Sequence, residues 1–102
     1  MKNYEEHQKI KSAISIFEKK WSGMIIKVLL EDDKSFSVIG KEILNISDRV
    51  LSQRLFELEK EGILKRHVYT GIPVKVKYGL TSKGKALSGV MNEILFWADE
   101  YL

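Results

Sequence analysis

The chain has 102 residues, of which 44% are hydrophobic and 30% charged, with one proline and no cysteine. This composition predicts one small globular domain, because the apolar fraction is sufficient for a single core. The lack of cysteine excludes a disulfide scaffold, a cysteine-ligated metal and a thiol nucleophile. No apolar run approaches the ~18 residues of a membrane span, and the first residues lack a signal-peptide core, so we expect a cytoplasmic protein with no membrane partner.

The formal net charge is only +3, but the charges are unevenly distributed. Between Gly62 and Asn92 there is no acidic residue, whereas this segment contains Lys65, Arg66, Lys75, Lys77, Lys83 and Lys85. Such asymmetry is typical of a face that binds a polyanion, although a solvated basic hairpin has the same composition. The position of these charges in the fold must therefore distinguish the two interpretations.

Two helices are predicted at the start of the chain. The first, over about residues 5–17, carries Ile10, Ile14 and Phe17 on one face, at the spacing of an amphipathic helix. The second, over residues 22–30, is apolar on nearly all sides, so we expect it at the centre of the core.

The next segment predicts a helix-turn-helix over about residues 37–61. Ser35 and Phe36 are expected to form a very short strand, after which Ser37 is the predicted N-cap of a helix that ends near residue 44. Ser47 is the predicted N-cap of the following helix, and Gly62 is the predicted C-terminal stop. The side of this helix opposite its leucines carries Arg49, Ser52 and Gln53.

A change of period then predicts a β-hairpin over residues 64–80, with a turn at residues 70–73. Apolar residues at 74, 76, 78 and 80 alternate with Lys75, Lys77 and Gly79, so one face is expected to be apolar and the other basic. A helix-turn-helix followed directly by a two-stranded ribbon is the winged-helix arrangement. In that arrangement the second helix has the dimensions of the DNA major groove, and the hairpin, called the wing, projects beside it.

A last helix is predicted over about residues 82–101, with Thr81 or Ser82 as its cap. Its apolar stripe is wider than a domain of this size can cover, so we expect the two terminal helices to form a dimer interface. The residues predicted to form it are Ile10, Ile14, Phe17, Val90, Trp97 and Tyr101.

No pattern in the sequence points to catalysis, to a metal or to a cofactor. His7 and His67 are sixty residues apart without a second ligand at metal spacing. The glycines Gly79, Gly84 and Gly89 fit neither nucleotide-binding pattern. We therefore expect a protein that is not an enzyme.

The predicted fold is mainly α with a small β-hairpin, a winged helix-turn-helix with N- and C-terminal dimerisation helices. Double-stranded DNA is the expected partner, since the polar helix face carries residue types that bind base edges and the wing carries the basic charge. The predicted contacts of the recognition helix are Ser47, Arg49, Ser52 and Gln53, and those of the wing are Lys65, Lys75 and Lys77. Arg54 lies nearer the apolar side and is expected to anchor the helix to a neighbour, whereas Arg66 and Phe56 receive no role.

Four segments form a specific combination: Lys20-Trp21, the run ISDRVLSQRLFELE over residues 46–59, GILKR over 62–66, and VKYGLT over 76–81. Together they resemble the HxlR-type, MarR-like family of bacterial winged-helix regulators. The resemblance covers about residues 8–102. It implies a cytoplasmic homodimeric transcription regulator whose first and last helices pair between subunits, and we expect it to bind an inverted-repeat operator.

Many family members carry a cysteine and a proline where this chain has Gln8 and Lys9, so the resemblance does not extend to thiol sensing. Two other functions are compatible with the sequence. The first is a winged-helix protein-interaction module that does not bind DNA. The second is a regulator controlled by a small apolar effector, of unknown identity, bound between the terminal helices at Trp21, Phe96, Trp97 and Tyr101.

Overall fold

The computed structural model describes residues 2–102 and has six helices and one hairpin in that range. In chain order they are α1 (Lys2–Glu18), α2 (Ser22–Glu31), α3 (Phe36–Glu42), α4 (Asp48–Lys60), β1 (Leu64–Tyr69), β2 (Lys75–Leu80), α5 (Ser82–Lys85) and α6 (Ser88–Tyr101). The two strands pair antiparallel, with Leu64 opposite Leu80 and Tyr69 opposite Lys75. The predicted class, mainly α with a small hairpin in a winged-helix fold, is confirmed.

The core is built around α2, whose Ile25 and Ile26 are completely buried. Side chains from α3, α4 and both strands pack around them, because each of these elements turns one apolar face inward. The buried apolar residues are Ile25, Ile26, Leu29, Ile39, Ile43, Leu51, Leu55, Leu58, Ile63, Leu64, Leu80 and Met91.

The start of α3 differs from the sequence prediction. Ser35, not Ser37, is the N-cap, and its hydroxyl accepts a hydrogen bond from the Val38 N–H at 3.3 Å. The predicted strand at Ser35 and Phe36 is also absent from this part of the described chain, since the pairing is a single bridge between Lys34 and Tyr78. Two backbone hydrogen bonds of 2.9 and 2.8 Å form that bridge. They end the extended segment at residue 34, so Ser35 is the first residue that can cap the helix.

The boundaries of α4 agree with the predicted caps. The Ser47 hydroxyl accepts from the Val50 N–H at 3.1 Å, and Gly62 ends the helix with a φ of 76°. Thr81, at the end of the hairpin, donates its hydroxyl to the Gly62 carbonyl and caps α5 by accepting from the Gly84 N–H. The wing, residues 64–80, is thereby attached to the end of α4.

The prediction of one continuous last helix over residues 82–101 is wrong. The structure has the short helix α5, a turn at residues 86–87, and then α6. Gly84 packs so closely that a β-carbon there would collide with the Ile63 carbonyl oxygen, so α5 is held against the base of the wing. Ser88 and Gly89 follow, and their low helix propensity favours the interruption.

The terminal helices are mostly exposed. Residues 3–15 of α1 are all solvent-exposed, and α6 contributes Met91 to the core. The sequence places Phe17 in the dimer interface, but it is partly buried and packs against the core of its own chain, as does Ile16. The reason is that α1 reaches the core at its C-terminal end. None of the helices in residues 2–102 is long and apolar enough to cross a membrane.

Candidate nucleic-acid interface

The recognition helix α4 has one buried and one exposed side. Leu51, Leu55 and Leu58 are buried, and they recur at the three- and four-residue spacing that places them on one face. Arg49, Ser52 and Gln53 are exposed. The exposed Ser47 hydroxyl accepts the capping hydrogen bond, and it keeps its proton and one lone pair for a ligand.

Arg54 is held by the protein itself. Its Nε donates to the Lys20 carbonyl oxygen at 2.9 Å, and its Nη1 lies 3.1 Å from Glu57 Oε1. The side chain is 16% exposed, so its charge is directed to these acceptors and away from any external ligand. The structure therefore agrees with the expectation that Arg54 anchors the helix.

Glu57 is bound from two sides. Lys19 Nζ donates to Glu57 Oε2 at 2.8 Å, while Arg54 contacts the other carboxylate oxygen. The hydrogen bond from Lys19 is the main reason that the pKa of Glu57 lies below its ordinary value, with the charges of Lys19 and Arg54 adding to it. Glu57 is therefore a carboxylate at neutral pH, and it links the end of α1 to α4.

The strand register places the three predicted wing lysines on one face. Lys65 lies opposite Gly79, Lys77 opposite His67, and Lys75 opposite Tyr69, and directly opposed residues share a face in an antiparallel pair. All three lysines are exposed. Arg66 lies on the other face, opposite Tyr78, yet its side chain is exposed.

One acidic group lies at the root of this lysine face. Gly79 is expected on the solvent side, but it is buried, because the carboxylate of Asp33 lies against its α-carbon and would collide with a β-carbon there. The same carboxylate is 3.9 Å from His67 Nε2. The α2–α3 loop thus supports the hairpin, and the uncompensated basic charge lies farther out, at Lys75 and Lys77.

The tip of the wing is apolar, which the sequence interpretation missed. Ile72 is fully exposed, and Val68, Tyr69 and Val74 are about half exposed or more. The alternation with Lys75 predicts Val74 on the inward face. It is exposed because β2 begins at Lys75 and residue 74 therefore lies outside the strand pairing. Pro73 was the signal in the sequence that could have predicted this exposure. An apolar residue next to a proline in a turn has no partner on the opposite strand to cover it.

The terminal helices carry a second surface, and its predicted residues are placed unequally. Ile10, Ile14, Val90, Trp97 and Tyr101 are all exposed, whereas Phe17 is not. The rings of Trp97 and Tyr101 lie next to each other on α6, with centroids 5.5 Å apart and an angle of 36° between their planes. Of the residues proposed to hold an apolar effector, Trp21 packs against the core, while Phe96, Trp97 and Tyr101 are exposed.

No group of three or more histidine and acidic side chains within residues 2–102 is arranged to hold a metal ion. Three carboxylates, those of Glu31, Glu42 and Glu57, instead form ion pairs with lysine or arginine. Lys34 lies between Glu31 and Glu42, at 2.5 and 2.7 Å, and its hydrogen bond lowers the pKa of Glu31. These ion pairs join α2 to α3 and are structural.

Comparison with known proteins gives a consistent assignment. The family model for the HxlR-like helix-turn-helix matches residues 16–102. The chain is 42% identical over 102 residues to YvaP of Bacillus subtilis (strain 168), an HTH-type transcriptional regulator, covering 100% of this chain and 94% of YvaP. It is 45% identical over 93 residues to the HTH-type transcriptional regulator YodB of the same organism, covering 91% of this chain and 83% of YodB.

The fold is also shared with solved regulators. The structure of the reduced form of YodB superposes with a TM-score of 0.85 at 45% identity, and covers 91% of each chain. The redox regulator HypR in its reduced form superposes with a TM-score of 0.85 at 28% identity, over 90% of this chain and 91% of HypR. These relatives are transcriptional regulators rather than enzymes. The chain belongs to the HxlR-like family of helix-turn-helix transcriptional regulators, with a MarR-like winged-helix fold.

Proposed function

We propose that this regulator acts in the cytoplasm as a homodimer that binds an inverted-repeat operator in double-stranded DNA. The observation that carries the proposal is the joint exposure of two surfaces. One is the polar side of α4, and the other is the face of the wing that holds Lys65, Lys75 and Lys77.

The two surfaces differ in the part of DNA that they suit. Arginine and glutamine form paired hydrogen bonds with guanine and adenine edges in the major groove, each pair contributing about 1–3 kcal/mol of discrimination. This makes Arg49 and Gln53 the proposed base contacts, with Ser47 and Ser52 beside them. Lysine ammonium groups bind phosphates without sequence preference, so the wing lysines supply affinity and register.

The dimer is proposed from the terminal helices. The exposed apolar residues Ile10 and Ile14 on α1, and Val90, Trp97 and Tyr101 on α6, are numerous for the surface of a monomer. A twofold partner covers such a stripe with the same stripe, and it presents two recognition helices to DNA. Half-sites about 10 bp apart, or a multiple of this, are then expected.

The test is a mobility-shift titration with purified protein and DNA from upstream of its own and neighbouring genes. We expect binding to one fragment that competitor DNA of random sequence fails to displace. The matched control is the same fragment with one half-site scrambled, which should bind far more weakly. If the protein bound none of these fragments even at low salt, the DNA proposal would be wrong, and a protein-interaction module would be the better interpretation.

A further inference from the structure

The recognition helix is fastened to the turn between α1 and α2 by a small polar cluster. Lys19 Nζ donates to Glu57 Oε2 at 2.8 Å, and Arg54 Nε donates to the Lys20 carbonyl oxygen at 2.9 Å. Arg54 and Glu57 also pair with each other at 3.1 Å. We call these four groups, the side chains of Lys19, Arg54 and Glu57 and the Lys20 carbonyl, the α1–α4 clamp.

The clamp holds a turn with a demanding backbone. Trp21, which follows Lys20 in this turn, has a φ of 81°, a left-handed conformation that non-glycine residues rarely adopt. Such a residue persists where its surroundings hold it in place. Here Arg54 donates a hydrogen bond to the carbonyl oxygen of Lys20, and the indole of Trp21 packs against the core. The direction in which α1 leaves the body is therefore set at this turn.

The direction of α1 depends on few contacts apart from this turn. Residues 3–15 of α1 are exposed, and the helix meets the core through Ile16 and Phe17 at its end. A helix of 17 residues is about 25 Å long at ~1.5 Å per residue. A rotation of about 10° at the turn would then move its far end by about 4 Å, which exceeds the ~3.4 Å between successive base pairs.

We infer that Glu57 is a positioning residue that sets the distance between the two recognition helices of the dimer, and thereby the half-site spacing that the regulator accepts. The inference depends on the proposed function, because α1 must pair between subunits and α4 must contact DNA. Glu57 is suited to the role because it is the one carboxylate of the clamp and joins the end of α1 to Arg54.

The experiment measures affinity for a series of operators whose half-sites are separated by one additional base pair at a time. The variants are Glu57→Gln and Lys19→Met, with Glu59→Gln as the control. Glu59 is exposed on the same helix, so both glutamine variants remove one negative charge from α4, and both should gain the same nonspecific attraction to DNA. A difference between the spacing preferences of the two variants therefore measures the effect of the clamp.

We expect wild type and Glu59→Gln to prefer one spacing sharply. In Glu57→Gln and in Lys19→Met, the preference for that spacing over its neighbours should fall about fivefold or more, within the usual range for coupling between sites. The double variant should be no worse than Glu57→Gln alone, since Lys19 joins the clamp through its contact with Glu57. Lys19 is 57% exposed at its side chain, so its replacement leaves the core intact.

A spacing profile of Glu57→Gln that superimposes on that of Glu59→Gln would overturn the inference. Thermal unfolding of each variant identifies a loss of fold, and the spacing profile of Lys19→Met decides the question if Glu57→Gln is unstable. Failure of the wild type to prefer any paired half-sites would instead contradict the proposed function. The two failures are thus distinguishable.

Discussion

The winged-helix body, residues 22–80, and the two terminal helices use apolar residues in opposite ways. Of the twelve buried apolar residues in the described chain, eleven belong to the body and one, Met91, belongs to α6. The terminal helices contain comparable side chains, such as Ile10, Ile14 and Trp97, but these are about half exposed. The body therefore completes its core within one chain, whereas the terminal helices do not.

This difference distinguishes a helix face that its own chain covers from one that is left for a partner, and an amphipathic sequence pattern is the same in both cases. An amphipathic stripe shows that a helix face will be covered, but it does not show by what. In α4 the stripe is covered by the same chain, which leaves the polar face for a ligand. In α1 and α6 it is left uncovered, which is the basis for proposing a second subunit. Mutations should consequently affect stability in the body and assembly at the ends.

The largest expected effect is on assembly. Trp97→Glu places a charge in the proposed interface, and we expect a monomer by sedimentation with the body still folded. Specific operator binding should fall by about a hundredfold or more, because two linked half-site contacts gain roughly 10²–10⁴ in affinity over one. A dimer that persists with unchanged operator affinity would show that the terminal helices have another role.

A cavity in the body is expected to act on stability instead. Leu55 is 1% exposed, and Leu55→Ala should lower the free energy of unfolding by about 2–5 kcal/mol. Ile94→Ala is the matched truncation on α6, where the side chain is half exposed, and it should cost the monomer far less. Urea denaturation at low and high protein concentration measures both. Equal losses at low concentration would contradict the contrast between body and ends.

The polar side of α4 is expected to affect specificity at constant stability. Gln53→Ala and Arg49→Ala should each weaken operator binding by about 1–3 kcal/mol and binding to random DNA much less. Competition titrations with both kinds of DNA provide the comparison. An equal loss on both would assign the residue to phosphate contact rather than base recognition.

The wing should show a smaller and sequence-independent effect. Lys75→Ala removes one proposed phosphate contact, so the slope of log affinity against log salt should decrease by about 0.9. Lys11→Ala removes the same side chain from an exposed position on α1 and should leave the slope unchanged. A slope that is equal in the two variants would place the DNA backbone away from the wing.

No effect is expected from a thiol oxidant. This chain has no cysteine and carries Gln8 in α1. Diamide should therefore leave its operator affinity unaltered. The matched comparison is the Gln8→Cys variant under the same diamide treatment, because it differs from the wild type by a single thiol in α1. A loss in the wild type that a thiol reductant reverses would indicate a second component in the preparation.

The sequence predicted those features that local chemistry determines. Ser47 begins α4 and Gly62 ends it, as the sequence predicted. The helical wheel also placed Arg54 near the apolar side of α4. It could not identify the Lys20 carbonyl as the acceptor of Arg54, since the two residues are 34 positions apart. The cap of α3 and the interruption before α6 were missed for the same reason: the bridge between Lys34 and Tyr78 and the contact of Gly84 with Ile63 are both tertiary.

The bridge between Lys34 and Tyr78 has a consequence for how such regulators diverge. Both of its hydrogen bonds join main-chain atoms, so every residue except proline can occupy these two positions and still form them. This one link between the wing and the body therefore does not depend on the side chains at positions 34 and 78. Exposed residues of the hairpin can change in sequence while its orientation is preserved, which allows DNA preference to evolve without a redesign of the scaffold.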